Sequence, residues 1–158
     1  MIKLLRVDDR LIHGAVAFSW TKQLSISLII LANDKIAKDD FQIMTLDIAK
    51  PRGTKLICAN VVDSIEEIKK HLTDSVNVMI VTNNILDAAN ILEEVPEIKS
   101  LNLGGLRKKD DTVENLIGAI AVSRADIDIC NGLVNKGYEV ELRLIPDGKK
   151  TYFKDYKL

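Results

Sequence analysis

Between residues 6 and 14 the chain reads RVDDRLIHG, placing the charged side chains Arg6, Asp8, Asp9 and Arg10 just ahead of His13, one of 2 histidines in 158 residues. Neutral imidazole is a nucleophile near pH 7, and arginine presents a planar fork of donors to phosphoryl oxygens. A histidine just before a helix also has free backbone N–H groups and the positive end of a helix dipole within reach, which suits an anion on the ring. His13 and Arg10 together could therefore make a phosphohistidine site. The residues alone leave plainer readings open: a loop histidine can be a surface residue or a helix cap. Asp8, Asp9 and Arg10 can be a solvated salt-bridge cluster of little energetic worth.

The elements around this stretch say where it must sit. MIKLLRV has the length of a buried strand, and Gly14 opens a helical pattern with Val16, Trp20 and Leu24 four apart. The apolar run 26–32 predicts a second strand, and Ala37, Phe41, Met44 and Ile48 step as a second helix that stops before Pro51. Lys55–Ala59 reads as strand three. Ser64 and Glu67 form a capping box ahead of Ile65, Ile68 and Leu72, and His71 closes that helix as a solvated residue favourable to its dipole. Val76–Val81 and Leu101–Leu103 read as further strands, with Ile85, Ala89 and Leu92 forming a core stripe between them. Leu106–Asn115, with the basic run Arg107, Lys108 and Lys109, reads as a loop that faces solvent or meets an acidic or phosphorylated partner. Ile117–Val122 is expected as strand six, followed by a helix from Ser123 to Gly137 with Ile127, Cys130 and Val134 inward. The alternation of Glu139, Glu141 and Arg143 with Val140, Leu142 and Leu144 predicts a half-exposed edge strand with antiparallel pairing open, and a short helix closes the chain. The expected fold is one α/β domain over 1–158: an open, mostly parallel sheet of about seven strands with helices on both faces. Ligands gather at the carboxyl ends of such strands, and His13 lies at that edge.

Bulk properties exclude several classes. The net charge is −1, from 22 basic and 23 acidic residues, which offers no electrostatic footprint for nucleic acid or an anionic membrane. No apolar run approaches the ~20 residues of a membrane span, and MIKLLRVDD turns charged too soon for a signal peptide, so a cytoplasmic protein is expected. Cys58 and Cys130 lie far from any metal-ligand spacing and read as buried thiols. GxGxxG and GxxxxGK[ST] are both missing, which argues against a dinucleotide or P-loop site.

RVDDRLIHG continued as AVAFSW closely resembles the active-site signature of the IIB components of the mannose/fructose/sorbose family of the bacterial phosphoenolpyruvate-dependent sugar phosphotransferase system (PTS). LANDKIAKDDFQ, AKPRG, the pair Gly104-Gly105 and VELRLIPDGK extend the likeness over nearly the whole chain. The resemblance implies that His13 accepts a phosphoryl group from a phosphohistidine on a IIA component. His13 then passes it to a sugar entering through membrane IIC and IID components, so the chain would be a phosphohistidine–sugar phosphotransferase component attached peripherally to the transporter. Arg10 would stabilise the equatorial oxygens in flight, and Asp8 and Asp9 would hold Arg6, Arg10 or the imidazole in place, with Gly14 at the helix start. No metal or dissociable cofactor is implied. The sugar range implied is mannose, fructose, sorbose, glucose and amino sugars. The family pattern carries glutamine after HG where this chain has Ala15.

Two other readings compete with the relay. Paired acids after strand one also begin the Mg²⁺ site of a receiver-like phosphoacceptor, yet Cys58-Ala59-Asn60 supplies no aspartate at the third strand's exit. A phosphorylation-read regulator could use the same histidine as a switch.

Overall fold

A computed structural model describes residues 1–14 and 17–158. Ala15 and Val16, and with them the Val16 position of the first helical stripe and the Ala15 departure, lie outside the described residues. Strands and helices alternate as β1 (Ile2–Asp8), α1 (Gly14–Gln23), β2 (Leu28–Ala32), α2 (Asp40–Ala49), β3 (Lys55–Ala59), α3 (Val61–Lys70) and β4 (Val78–Thr82). They continue as α4 (Ile85–Glu94), β5 (Ser100–Gly105), a hairpin of β6 (Thr112–Leu116) and β7 (Ile120–Ser123), α5 (Arg124–Asn135), β8 (Glu139–Leu142) and β9 (Thr151–Tyr152). The main sheet has 7 strands in the order β3-β2-β4-β1-β5-β8-β9. Every pair in it is parallel except β8 with β9. The expected mostly parallel α/β sheet is therefore present.

β1 lies between β4 and β5, where the chain, having built one side of the sheet, crosses to build the other. Such a switch point leaves a crevice at the carboxyl ends of the strands. β2 (LIILA) and β4 (VMIVT) are buried throughout because helices cover both faces, so their sequences run apolar without alternation. One face packs Leu5, Val7, Ile30 and Ile80 under α3, α4 and α5; the other packs Ile29, Leu31, Met79 and Val81 under Trp20 of α1 and Leu46 of α2. Each fully buried Leu or Ile contributes about 1.5–3 kcal/mol. On the α1 side of β1, β5 and β8 the alternation brings in polar groups: Arg6 and Asp8, then Asn102, then Glu141.

Several expectations need correction. The apolar steps of α2 face outward, with Phe41, Met44 and Ile48 exposed by 75%, 53% and 78%; Leu46 is the buried residue. Periodicity shows a stripe but not which way it faces; Asp39 caps the helix start, its carboxylate accepting from Gln42 N at 3.0 Å. α3 starts before Ser64: Asn60 is its N-cap, accepting from Asp63 N at 2.8 Å, while Ser64 is buried. His71 is the C-cap of α3 as read, but it is half-buried, pairing with Asp74 at 2.6 Å and Glu67 at 3.4 Å. Thr112–Leu116, expected within a loop, is β6, and the strand expected at 117–122 joins it in the hairpin instead of the main sheet. β8 is an inner strand parallel to β5; the antiparallel edge is β9, followed by a short 3₁₀ turn at Phe153–Tyr156. Cys58 is half-buried, and Cys130 is buried as expected. The capping box of Ser123 and Asp126 opens α5 as read.

Candidate functional site

Asp8 is the last residue of β1, and the loop after it folds back tightly. Leu11 N donates to Asp8 O at 2.9 Å, with Leu11 at φ +62, and Gly14 at φ +35 turns the chain into α1. A side chain at position 14 would have space but would strain the backbone, which is the physical need for glycine there. His13 is the N-cap residue in extended conformation, yet its ring does not cap the helix. The ring instead places Nε2 3.0 Å from Asp8 Oδ2. With the carboxylate as acceptor the hydrogen of this bond is assigned to Nε2, which in a neutral ring leaves the lone pair on Nδ1. With 26% of its side chain exposed, the ring is reachable from solvent. The first turn of α1 contains no acidic residue, so its positive end is uncompensated.

Asp8 is itself held from below. Its Oδ2 also accepts from Arg6 Nη2 at 3.0 Å, and its Oδ1 accepts from Arg10 N at 3.1 Å. Arg6 Nη1 donates to Asn102 Oδ1 at 2.7 Å and to Arg143 O at 3.1 Å. Asn102 Nδ2 donates to Glu141 Oε1 at 3.1 Å. Arg6, Asp8, Asn102 and Glu141 are exposed by only 3%, 2%, 1% and 4%, so the row is buried, with Asp8 at its cleft end. Trp20 lids it, its ring 5.6 Å from the Arg6 guanidinium and 4.9 Å from that of Arg143. Gly104 makes room for Arg6: a Cβ there would overlap the guanidinium. Burial pulls the Arg6 guanidinium below its ordinary 12.5, Asp8 opposing the shift; the group stays charged at neutral pH.

Above the row, a cleft of about 270 Å³ is lined by Asp8, Asp9, Arg10, His13 and Arg107, with Gly105, Gly118 and Leu144 among its walls. Arg10 is exposed and lines this cleft together with His13. Asp9 departs from expectation. It holds neither Arg6, Arg10 nor the imidazole, but accepts from Arg107 N at 2.8 Å and Arg107 Nε at 3.2 Å. The basic run is thus split, with Arg107 fixed at the cleft while Lys108 and Lys109 are exposed. A larger groove of about 750 Å³ beside β3 contains His71, whose ring is engaged by Glu67 and Asp74.

Sequence reading missed Asn102, Glu141, Arg143 and Arg107 as parts of this site. One signal was available: polar residues at alternate positions of strands that border the switch point. Burial raises both thiols, Cys58 to about 11 and Cys130 to about 12, which makes them poor nucleophiles near neutral pH.

Fold and site together define an α/β domain with a carboxylate-held histidine in the crevice at the switch point of its sheet. Residues 2–156 match the family model of the PTS system sorbose subfamily IIB component, and the chain belongs to that family. It is thereby a component of a sugar phosphotransferase system, with a transferase role. A probable phosphotransferase enzyme IIB component from Streptococcus pyogenes serotype M6 is 39% identical over 110 residues, covering 70% of this chain and 68% of that protein. The mannose-specific EIIAB component of Escherichia coli K12 is 33% identical over 160 residues, covering 98% of this chain; the chain spans only 48% of that relative's length. The crystal structure of the IIB domain of the sorbose permease from Klebsiella pneumoniae superposes with a TM-score of 0.90 at 25% identity, covering 98% of this chain and 94% of that one. Among the described residues no helix is long and apolar enough to cross a membrane.

Proposed function

We propose that His13 is the phosphoryl carrier of this component. The observation that carries the reading is the Asp8–His13 hydrogen bond, which leaves Nδ1 as the attacking nitrogen of a partly exposed ring at the N-terminal end of α1. In the accepting step the Nδ1 lone pair forms a bond to the phosphorus of a phosphohistidine on a IIA component. The donor's N–P bond breaks, its electron pair returns to the donor ring, and the His13 proton stays on Nε2, hydrogen-bonded to Asp8. In the delivering step a sugar hydroxyl oxygen bonds to phosphorus, the N–P bond breaks toward Nδ1, and the hydroxyl proton leaves to solvent. Little covalent chemistry is asked of the protein, so positioning and charge stabilisation dominate.

Arg10 supplies charge and donors to the equatorial oxygens, and the N-terminus of α1 adds its dipole. Arg6 acts through Asp8, and Gly14 permits the turn that presents the ring. Asp9 supports the site through Arg107. The chain works as one IIB domain in the cytoplasm, bound peripherally to membrane IIC and IID components. The cargo is a sugar of the mannose, fructose, sorbose or amino-sugar range; the EIIAB name of the mannose-specific relative supports a IIA partner. His13→Ala should keep the fold and lose an acid-labile phosphoryl label donated by phosphorylated IIA. Retention of the label in the folded variant would refute the assignment.

A further inference from the structure

α2 is apolar on two sides. Leu46 is buried and Ile43 packs beside it in the core that β2 and β3 share, while Phe41, Met44 and Ile48 face outward and stay exposed. Single exposed apolar residues are ordinary on a protein surface, and α1, α3 and α4 expose one each among the described residues, Phe18, Val62 and Leu86. Three on one helix, spaced by three and then four, form instead a continuous seam of the kind by which one helix packs along another. Taking the exposed fractions with about 200 Å² for each side chain, the seam presents roughly 400 Å² of apolar surface.

The seam is self-complementary. When two copies of α2 run antiparallel about an axis beside Met44 and Thr45, Phe41 of each copy lies on Ile48 of the other, and the two Met44 side chains meet at the centre. The charges agree with that orientation. Lys38, Asp39 and Asp40 leave the amino end of α2 net negative, and Asp47, Lys50 and Arg52 leave its carboxyl end net positive. Lys50 bonds Asp47 at 2.7 Å within the chain, and Arg52 is exposed beyond them. An antiparallel pair therefore brings Asp40 of each copy toward Arg52 of the other, twice by symmetry. Acidic residues at both ends of the seam speak against a lipid surface, because helices that lie on membranes flank their apolar face with Lys and Arg.

We infer that α2 pairs with α2 of a second copy of this chain through Phe41, Met44 and Ile48. With the flanking charged side chains the contact reaches about 600 Å² per copy, the low end of specific interfaces, so association is weak, with a Kd on the order of 10–100 µM. α2 covers β2 and β3, and β4 separates β2 from β1, so the pair leaves both His13 clefts open. The inference does not depend on His13 being the phosphoryl carrier.

The test is sedimentation equilibrium of the full chain from about 5 to 500 µM, a range that brackets such a Kd. The weight-average mass should climb from 17.6 kDa toward twice that value. Met44→Glu sets two like charges at the axis, on an exposed helical position that glutamate suits, so the variant should keep its circular dichroism and weaken the dimer at least about tenfold. Asp40→Lys alone and Arg52→Asp alone should each weaken it about 3- to 10-fold. An equimolar mixture of these two variants should associate more tightly than either one, and the chain carrying both changes should recover most of the parent affinity. A chain that stays at 17.6 kDa throughout would overturn the proposal, as would a dimer indifferent to Met44→Glu or charge variants that the mixture does not rescue. Other occupants have their own signatures in a chain that never dimerises. Flotation with phosphatidylglycerol vesicles that Met44→Glu abolishes would give the seam to a lipid surface, and phosphoryl delivery into membranes containing IIC and IID that it abolishes would give the seam to those components; either result overturns the pairing.

Discussion

Replacing Asp8 by asparagine keeps the side chain's volume and removes its charge, which isolates what the carboxylate does. Asp8 Oδ2 accepts from Arg6 and from His13 at 3.0 Å each, and Oδ1 accepts from Arg10 N at 3.1 Å. An amide can keep its oxygen toward one side only, so one of these donors meets an N–H₂ group. Removing one member of a buried ion pair costs about 3–5 kcal/mol. No cavity forms, and Glu141 still attracts the Arg6 guanidinium, so the lower end, about 3 kcal/mol, is expected. Against a total of about 5–15 kcal/mol the variant stays folded, with its urea midpoint lowered by roughly 1–2 M. The ring loses the partner that keeps hydrogen on Nε2, and single-turnover phosphorylation by IIA should fall at least about 100-fold. Ring ¹⁵N shifts should show the Nε2–H tautomer depleted. A folded Asp8→Asn protein that takes up phosphoryl at the parent rate would refute the reasoning, because the carboxylate would then be an anchor for Arg6 alone.

Arg10→Lys should leave thermal unfolding nearly unchanged, because the residue is exposed, and lower the transfer rate about 10- to 100-fold, because the charge survives and the bidentate fork does not. An unfolded variant would make Arg10 structural. The two thiols predict alkaline behaviour. Cys58 and Cys130 are raised from 9.0 to about 11 and about 12, so the folded chain holds protons that the unfolded chain releases. Their contribution is complete below pH 9 and is lost as pH rises toward 12, so denaturant midpoints should decline over that window. Cys130→Ala should flatten part of the decline, and an identical slope in that variant would remove the thiol from the account.

The sheet and its helices were legible because hydrophobic runs report burial on both faces directly: LIILA and VMIVT admit few other elements. His13 and Arg10 were legible because the motif is local. What escaped is whatever needs partners distant in sequence. Asp9 was expected to serve its neighbours and instead serves Arg107, which the carboxyl end of β5 brings beside it. Glu139 and Glu141 looked like the wet side of an edge strand because a polar residue at every second position reads the same whether it faces water or a buried polar row.

That row also ties the fold to the chemistry. Arg6 is the register partner of Asn102 across β1 and β5, and Asn102 is the register partner of Glu141 across β5 and β8. The three residues thus form one lateral line across the sheet, ending at the carboxylate that holds His13. A slip of one residue in either pairing would carry a charged or amide side chain to the opposite face, into the Leu101–Leu103–Val140–Leu142 core. Burying an unpaired guanidinium, amide or carboxylate there is so unfavourable that the polar row penalises wrong registers more than apolar residues at the same positions would. Of the registers open to these strands, the one that pairs Arg6, Asn102 and Glu141 is also the one that orients the imidazole.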